Sequence, residues 1–515
     1  MRDSFSAGRR FMLEDGEAES HARTASWGVC VGGFLSFLDG LEAAFGRWVV
    51  APLESVIFFD VAFWSDDTTV PIVVLWLILA AVFFTVRFQF VNLRAFRHAV
   101  DCARGRYSSP DDPGEISHFQ ALSAALSATV GLGNIAGVAV AVGLGGPGAV
   151  FWMVVAGFLG MSSKFAECTL GQKYRHIDEN GKVSGGPMHY LEDGLKELGW
   201  ARSGRVLALV FSFMCIGGSF GAGNMFQANQ AAAQMAMVIP AFDGRVGAIV
   251  FGAILAAAVG VVIIGGIRRI GRVAATLVPF MCVAYLLCGA WILLAHAGEL
   301  AGGVLTIVHS AFAPEAAYGG AVGVLIQGFR RAAFSNEAGV GSAPIAHSAA
   351  ITKEPIREGL VALLEPFIDT LIVCATTGLV IVVTGAHAAP DAGEGIQMTS
   401  WAFATVFPWF PILLAVTATL FAFSTMISWS YYGERSWSHL FGERSSLWYK
   451  LIFLGFAWFG AVSQLDQVVT FSDLMILGMA FPNLPGVILL SGRIKAELDD
   501  YLRRLRAGEF RRHDR

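Results

Sequence analysis

Ser127-Ala-Thr-Val-Gly-Leu-Gly-Asn-Ile-Ala-Gly137 lies inside an apolar run from Phe119 to Leu144. Its last seven residues hold three glycines and an asparagine, and each glycine costs a helix about 1 kcal/mol against alanine. In the middle of a bilayer, unwound backbone has no water to bind, so such breaks survive only where they are buried in protein or line a polar cavity. Interrupted helices at corresponding places of two internal halves mark the binding site of a secondary transporter. A second interruption is expected around Gly328 to Gly341, in Gln327-Gly-Phe-Arg-Arg-Ala-Ala-Phe-Ser-Asn-Glu-Ala-Gly-Val-Gly341.

The composition agrees with a chain that lives mostly in lipid. It has 515 residues, 55% hydrophobic and 15% charged, with mean hydropathy +0.59; ordinary soluble domains carry about 25% charged residues. The net charge of −4 names no partner, because the charges are segregated by loop. There is no sustained basic helix and no zinc-finger or RNA-binding motif, so nucleic acid is not an expected partner. The seven cysteines form no C-x-x-C pair, and neither disulfide nor structural metal is expected. Residues 1–26 are polar and lack the apolar core of a signal peptide. Phe34 to Trp64 is apolar but interrupted by Asp39, Glu42, Arg47, Pro52, Glu54 and Asp60, which fits an interfacial or re-entrant segment better than a span.

A span needs roughly 20 mainly apolar residues. Candidates are 70–88, 117–145, 148–170, 205–238, 245–265, 273–296, 318–346, 360–384, 399–431, 447–463 and 468–490, eleven in all. Alternate loops carry the lysines and arginines: Arg94 to Arg106, Lys173 to Lys196, Arg268 to Arg272, Lys353 and Arg357, Arg435 and Arg444, then the tail from Arg493. Residues 297–317 and 385–398 have none. By the positive-inside rule the basic loops and the C-terminus are cytoplasmic; the side of the N-terminus stays open. The expected organisation is a polar N-terminus and interfacial segment (1–69), a first span with its cytoplasmic loop (70–115), two repeats (116–298 and 318–490) and a basic tail (491–515). Each repeat opens with its interrupted helix and has five spans. Five is odd, so the halves run oppositely: an all-α membrane protein of one N-terminal helix and a 5+5 inverted-repeat core.

An unwound segment exposes two half-helix ends. Free N–H groups suit a carboxylate, which makes Gly131, Leu132 and Gly133 candidate donors to an anionic group, with Asn134 beside them. Free carbonyls, here Ser127 and Val130, suit a cation when hydroxyls complete the shell. Gln327, Phe334 and Ser335 are the expected contacts to a small zwitterion at the second break. Gln227, with Asn224, suits a substrate or a neighbouring helix equally. Arg330 and Arg331 are charges inside a span, hence functional suspects; they are expected to pair with Glu337 or with an acid on a neighbouring helix, in a gating or structural role. Asp369 is a candidate for ion or proton linkage, or for a place in the arginine network. Ser424 and Thr425 offer hydroxyls, although mid-helix Ser and Thr commonly bond their own carbonyls. Gly217-Gly-Ser-Phe-Gly221 matches G-x-S-x-G but lies in a glycine-rich helix rather than at a strand-to-helix turn, and His296, His309, His347 and His387 lack metal-ligand spacing. No enzyme is expected.

Leu122 to Ala141, Gly145 to Ala149, Gly160-Met-Ser-Ser-Lys-Phe-Ala-Glu167, Phe334 to Pro344, Phe367 to Cys374 and Trp429-Ser-Tyr-Tyr-Gly-Glu434 together resemble the alanine or glycine:cation symporter family, over roughly residues 70 to 490. The resemblance implies the fold of the neurotransmitter:sodium symporters and sodium-coupled uptake of alanine or glycine across the plasma membrane, a bacterial inner membrane. Sodium would be a coupling ion, with no other cofactor. By position it makes Ser127, Val130, Phe421, Ser424 and Thr425 the sodium ligands. Two departures stand out: Leu132 replaces a frequent threonine, and Thr129 a frequent arginine. Proton coupling through Asp369 is the alternative mechanism, and an amino-acid-gated channel or sensor is the alternative class. Channels need a filter or rings of carboxylates, which these spans lack.

Overall fold

A computed structural model describes residues 36, 38, 40–61, 69–109, 111–264, 266–313, 320–406 and 408–512. The expectation for residues 1–26 lies outside them. The chain divides at Ser55. In the N-terminal unit a helix runs on from Gly46, with Trp48 72% exposed. Everything that follows concerns Val56 to Arg515.

Among the described residues, eight helical runs are long and apolar enough to cross a membrane: 148–173, 201–238, 244–263, 266–295, 355–383, 410–441, 443–462 and 465–506. A ninth is the pair His118–Thr129 and Gly133–Gly145, bent by 52° at its break. The two remaining expected spans are the shorter helices Ile72–Arg87 and Gly320–Asn336, so the expected count of eleven is consistent with the structure. We label the elements used below α1 (His118–Thr129), α2 (Val138–Gly145), α3 (Gly148–Lys173), α4 (Ala201–Phe220), α5 (Phe226–Val238), α6 (Gly320–Asn336), α7 (Ala343–His347), α8 (Pro355–Ala362), α9 (Ile396–Ala404), α10 (Phe410–Phe441), α11 (Leu465–Gly478) and α12 (Ala480–Arg506).

Local sequence explains the ends of these helices. Ser117 caps α1 by a reciprocal box with Gln120, and Gly146 and Pro147 end one span and start the next. α3 packs along α6 and α8, while α4 and α5 pack along α10. Close packing uses small residues: a Cβ at Gly217 would collide with Met475, so the G-x-S-x-G match is a helix-packing surface.

The basic loops converge on a single face. Arg175 donates to the carbonyls of Pro113, Ser348, Ala350 and Thr352. Lys182 pairs with Glu443 at 2.6 Å, and Lys353 with Asp112 at 3.3 Å. The tail closes the set. Arg504 holds Glu354 through two bonds of 2.8 and 2.9 Å, Glu497 pairs with Lys173, and Arg493 pairs with Glu197. On the same face His98 shares a 2.8 Å hydrogen bond with Tyr501. Burial, helped by Arg357, holds the His98 imidazole down at about 4 rather than 6.5.

A neutral imidazole of this kind favours folding above its ordinary range, and that contribution is lost as pH falls from 6.5 towards 4. The thermal midpoint in detergent should therefore drop over that window, and His98→Gln should make the drop shallower. An unaltered slope in the variant would reject this role for His98.

Candidate functional site

The first break opens at Val130, where ψ turns to 90°. Two N–H groups that would have closed helical turns on the carbonyls of Ser127 and Ala128 point elsewhere. Gly131 donates to Asn134 Oδ1 at 2.9 Å, and Leu132 donates to Gln227 Oε1 at 3.2 Å. Both carbonyls thereby lose their usual helical donors, as half-helix ends do. Ser127 Oγ donates to the carbonyl of Ser424 at 2.8 Å, and Ser424 Oγ to that of Phe421 at 3.0 Å. Thr425 Oγ1 is buried without a hydrogen-bond partner among the described residues. It faces Gly131, where a Cβ would collide with it. Ser127, Val130, Gly131, Leu132, Asn134, Gln227, Phe421, Ser424 and Thr425 thus belong to one neighbourhood, contributed by α1 with its break, α5 and α10.

The second break falls at the end of the stretch the sequence marks. Helix α6 continues through Gln327, Arg330 and Ser335 to Asn336, and the backbone leaves the helix only at 337–342. Three left-handed residues make the turn: Glu337 (φ 57°), Gly339 (φ 94°) and Gly341 (φ 88°). Glycines are at ease there, whereas Glu337 is held by partners, accepting from Trp429 Nε1 at 3.0 Å and from Ser342. Asn336 Oδ1 accepts from the freed N–H of Ala338 at 2.9 Å, as Asn134 does for Gly131.

Both asparagines reach one wide π turn, Phe367–Cys374. Asn134 Nδ2 donates to Asp369 Oδ1 at 2.5 Å and to the Asp369 carbonyl at 3.1 Å; Asn336 Nδ2 donates to Thr370 Oγ1 at 2.9 Å. Ser335 Oγ donates to Asp369 Oδ2 at 3.0 Å, and Thr370 Oγ1 to the same oxygen at 2.7 Å. Asp369 is wholly buried and makes no ion pair among the described residues. It joins the two breaks rather than the arginine network. Gly133 sits against Ser335 and Phe334, at 3.6 and 3.8 Å from where its Cβ would be, and Phe334 meets Phe226 edge-on at 5.2 Å. Wide turns recur here, at Gly133–Gly137, Gly221–Met225 and Phe367–Cys374, a rare geometry that concentrates at functional sites.

The two arginines take the second of their expected partners, an acid on a neighbouring helix. Arg330 and Arg331 are paired with Asp473 of α11, Arg330 Nη2 at 2.7 Å, and Glu337 takes no part. The sequence points to an acid on a neighbouring helix without identifying it. Gln327 packs against Gly145, about 20 Å along the helix from Leu132 at 1.5 Å per residue; the structure does not bring it to the break. Sequence reasoning also missed a second buried polar group. Lys164 pairs with Glu365 at 3.0 Å and His347 with Glu358 at 2.5 Å, while His118 pairs with Glu358 too. Asn483 Nδ2 donates to Glu167 at 2.6 Å and to the carbonyl of Gly339 at 2.9 Å. Lys164, Glu167 and Glu365 lie inside apolar runs, which was the available signal.

Segment 393–399 covers the first break. Thr399 Oγ1 donates to the carbonyl of Ile135 at 3.0 Å, and the Ile396 N–H to Gln230 Oε1 at 3.2 Å. Beyond it a cavity of about 430 Å³ is lined by Asn229, Gln230, Glu394 and Gln397. Gln227 and Gln230 follow one another at helical spacing on α5, the first bonded at the break and the second in the cavity wall.

The sequence pattern of the sodium:alanine symporter family matches residues 56–515. The chain belongs to the sodium:alanine symporter family. It is therefore a multi-pass membrane transporter and not an enzyme. It is 40% identical to the sodium/alanine symporter AgcS of Methanococcus maripaludis over 430 residues, 83% of this chain and 93% of that one. It is 34% identical to the probable sodium/glutamine symporter GlnT of Bacillus subtilis, over 85% and 89% of the two chains. The crystal structure of MhsT in complex with L-phenylalanine has the same fold, with a TM-score of 0.54 at 15% identity over 73% of this chain and 89% of that one.

Two substitutions check this geometry. Gly131→Ala should destabilise the protein by about 1–3 kcal/mol through overpacking against Thr425, whereas Gly137→Ala, with nothing within 4 Å, should be neutral in thermal unfolding. Asp473→Asn leaves two cations without their counter-charge and should cost about 3–5 kcal/mol; a variant as stable as the parent would show the pairing to be dispensable.

Proposed function

We propose that this chain is a sodium-driven symporter of a small neutral amino acid, alanine or glycine, in the plasma membrane of a bacterium, with its basic face and C-terminus in the cytoplasm. The observation that carries the reading is the pair of diverted amides at Gly131 and Leu132. Their acceptors, the side-chain oxygens of Asn134 and Gln227, occupy the position a substrate carboxylate would take. Substrate would exchange with Gln227 Oε1 and draw on the N–H groups of Leu132 and Gly133. Phe334 and Ser335 would meet the rest of the molecule. Phe334 stands against Gly133 with Phe226 behind it, an aromatic wall that supports alanine or glycine over the larger substrate in the name of the GlnT relative.

Sodium would lie between the carbonyls of Ser127, Val130 and Phe421 and the hydroxyls of Ser424 and Thr425. The unpartnered Thr425 hydroxyl supports this, since a buried polar atom without a partner costs free energy that an ion can recover. Cation binding would hold α1 against α10 and lower the cost of closing the break around substrate. Segment 393–399 would act as the outer cover, opening the glutamine-lined route to the cavity. The ion gradient and the membrane potential, worth about 2.3 kcal/mol per charge per 100 mV, then drive the cycle.

One observation favours proton coupling as a second reading: Asp369 is a buried carboxylate with no cationic side chain paired to it among the described residues. Such a group calls for a cation, either a metal ion or a proton.

Uptake of labelled alanine, glycine and serine into proteoliposomes, with sodium, lithium or protons as the only gradient, separates these readings. Sodium-dependent, saturable uptake with counterflow is expected. Ser424→Ala with Thr425→Val should raise the sodium requirement more than it weakens substrate affinity at saturating sodium, and Gly133→Leu should abolish binding. Uptake that follows pH in sodium-free buffer and vanishes in Asp369→Asn would favour the proton; a normal sodium requirement in the double variant would overturn the ion-site assignment.

A further inference from the structure

Three imidazoles and a carboxylate gather on the basic face, apart from both breaks. Beyond α3 the chain forms a short antiparallel hairpin, β1 (His176–Ile177) and β2 (Val183–Ser184), then the helical turns Pro187–His189 and Tyr190–Gly194. His176 Nε2 lies 2.8 Å from Asp193 Oδ2. The rings of His176 and His189 are 4.6 Å apart, and that of His439, in the last turn of α10, is 6.0 Å from His189. One donor atom from each of His176, His189 and Asp193 falls within 4.8 Å of the others. The neighbouring cations Lys182 and Arg435 are engaged by Glu443, at 2.6 and 3.4 Å. The side chains of His176 and Asp193 are 61% and 37% exposed, so an ion can reach them from solution. Nothing in the transport reading uses these groups.

We propose that His176, His189 and Asp193 form a binding site for a divalent transition-metal ion of the zinc class, with His439 as the adjacent imidazole. Two imidazoles and one carboxylate are a donor set that zinc, nickel and copper accept, whereas magnesium and calcium require oxygen ligands. Three protein ligands with a fourth position left to water or His439 match zinc's tetrahedral preference. His176 lies on β1 and the other two ligands beyond β2, so a bound ion fastens β1 to the turns that lead towards α4. With His439 in the fourth position it would be, beside Lys182–Glu443, a second tie between the hairpin region and the end of α10.

The test is calorimetric titration of zinc chloride into the purified, tag-free full-length protein, with magnesium chloride as the comparison. One saturable zinc event per chain is expected and none with magnesium. The triple variant His176→Ala/His189→Ala/Asp193→Asn should weaken zinc binding by at least about tenfold, the order seen when groups that support a metal site are removed. His176→Ala alone, at an exposed position, should show the same direction of change and serves if the triple variant aggregates. A native chain without saturable zinc binding, or zinc affinity unchanged in these variants, would reduce the cluster to a hydrogen-bonded surface group and overturn the proposal.

Discussion

The fold depends on giving partners to peptide groups that have left their helices inside an apolar protein in lipid. An amide with no partner in such surroundings costs several kcal/mol, so a broken helix is possible only if side chains take over the work of the helix. Here the two breaks use the same device. Asn134 accepts from Gly131, and Asn336 accepts from Ala338. Each asparagine then uses its Nδ2 to hold the Phe367–Cys374 turn. The breaks are therefore not independent defects in two helices; they are mechanically joined through Asp369 and Thr370. A displacement of either break is felt by the other through these hydrogen bonds.

The third support comes from a helix that is not itself broken. Gln227 can offer Oε1 to Leu132 because its Nε2 is fixed on the carbonyl of Ala222 at 3.0 Å. That carbonyl lies in the wide turn Gly221–Met225. Widening a helix by one residue per turn redirects its carbonyls and changes which face a side chain presents. The irregular winding of one helix thus sets the acceptor for the irregular winding of another, and the chemistry of the site is distributed over elements far apart in sequence.

This explains which parts were legible from the residues alone. The first break was readable because its cause is local: glycines at 131, 133 and 137 with an asparagine among them. Ser424 and Thr425 could be placed beside it only through the family resemblance, since hydroxyls in mid-helix ordinarily turn back on their own carbonyls, as Ser424 does. The second break was less sharply placed within its stretch because its first left-handed residue is Glu337, a residue type that carries no such signal and adopts the conformation through Trp429 and Ser342. Arg330 and Arg331 announced a buried charge pair, but the acid that answers them, Asp473, is 142 positions from Arg331, and only the register of α11 against α6 reveals it. Gln327 failed for a related reason: it belongs to the right helix but lies several turns from the break.

The tail helix carries a consequence for biosynthesis. Arg493, Glu497 and Arg504 of α12 tie down the loops that follow earlier spans, through Glu197, Lys173 and Glu354. All three come later in the chain than the loops they bind. The earlier spans can be threaded into the bilayer before their loops have met these partners, and the face with the basic loops locks only once α12 has been made. Insertion is thereby separated in time from the consolidation of that face, and a chain cut short before Arg493 would reach the membrane with these loops untied.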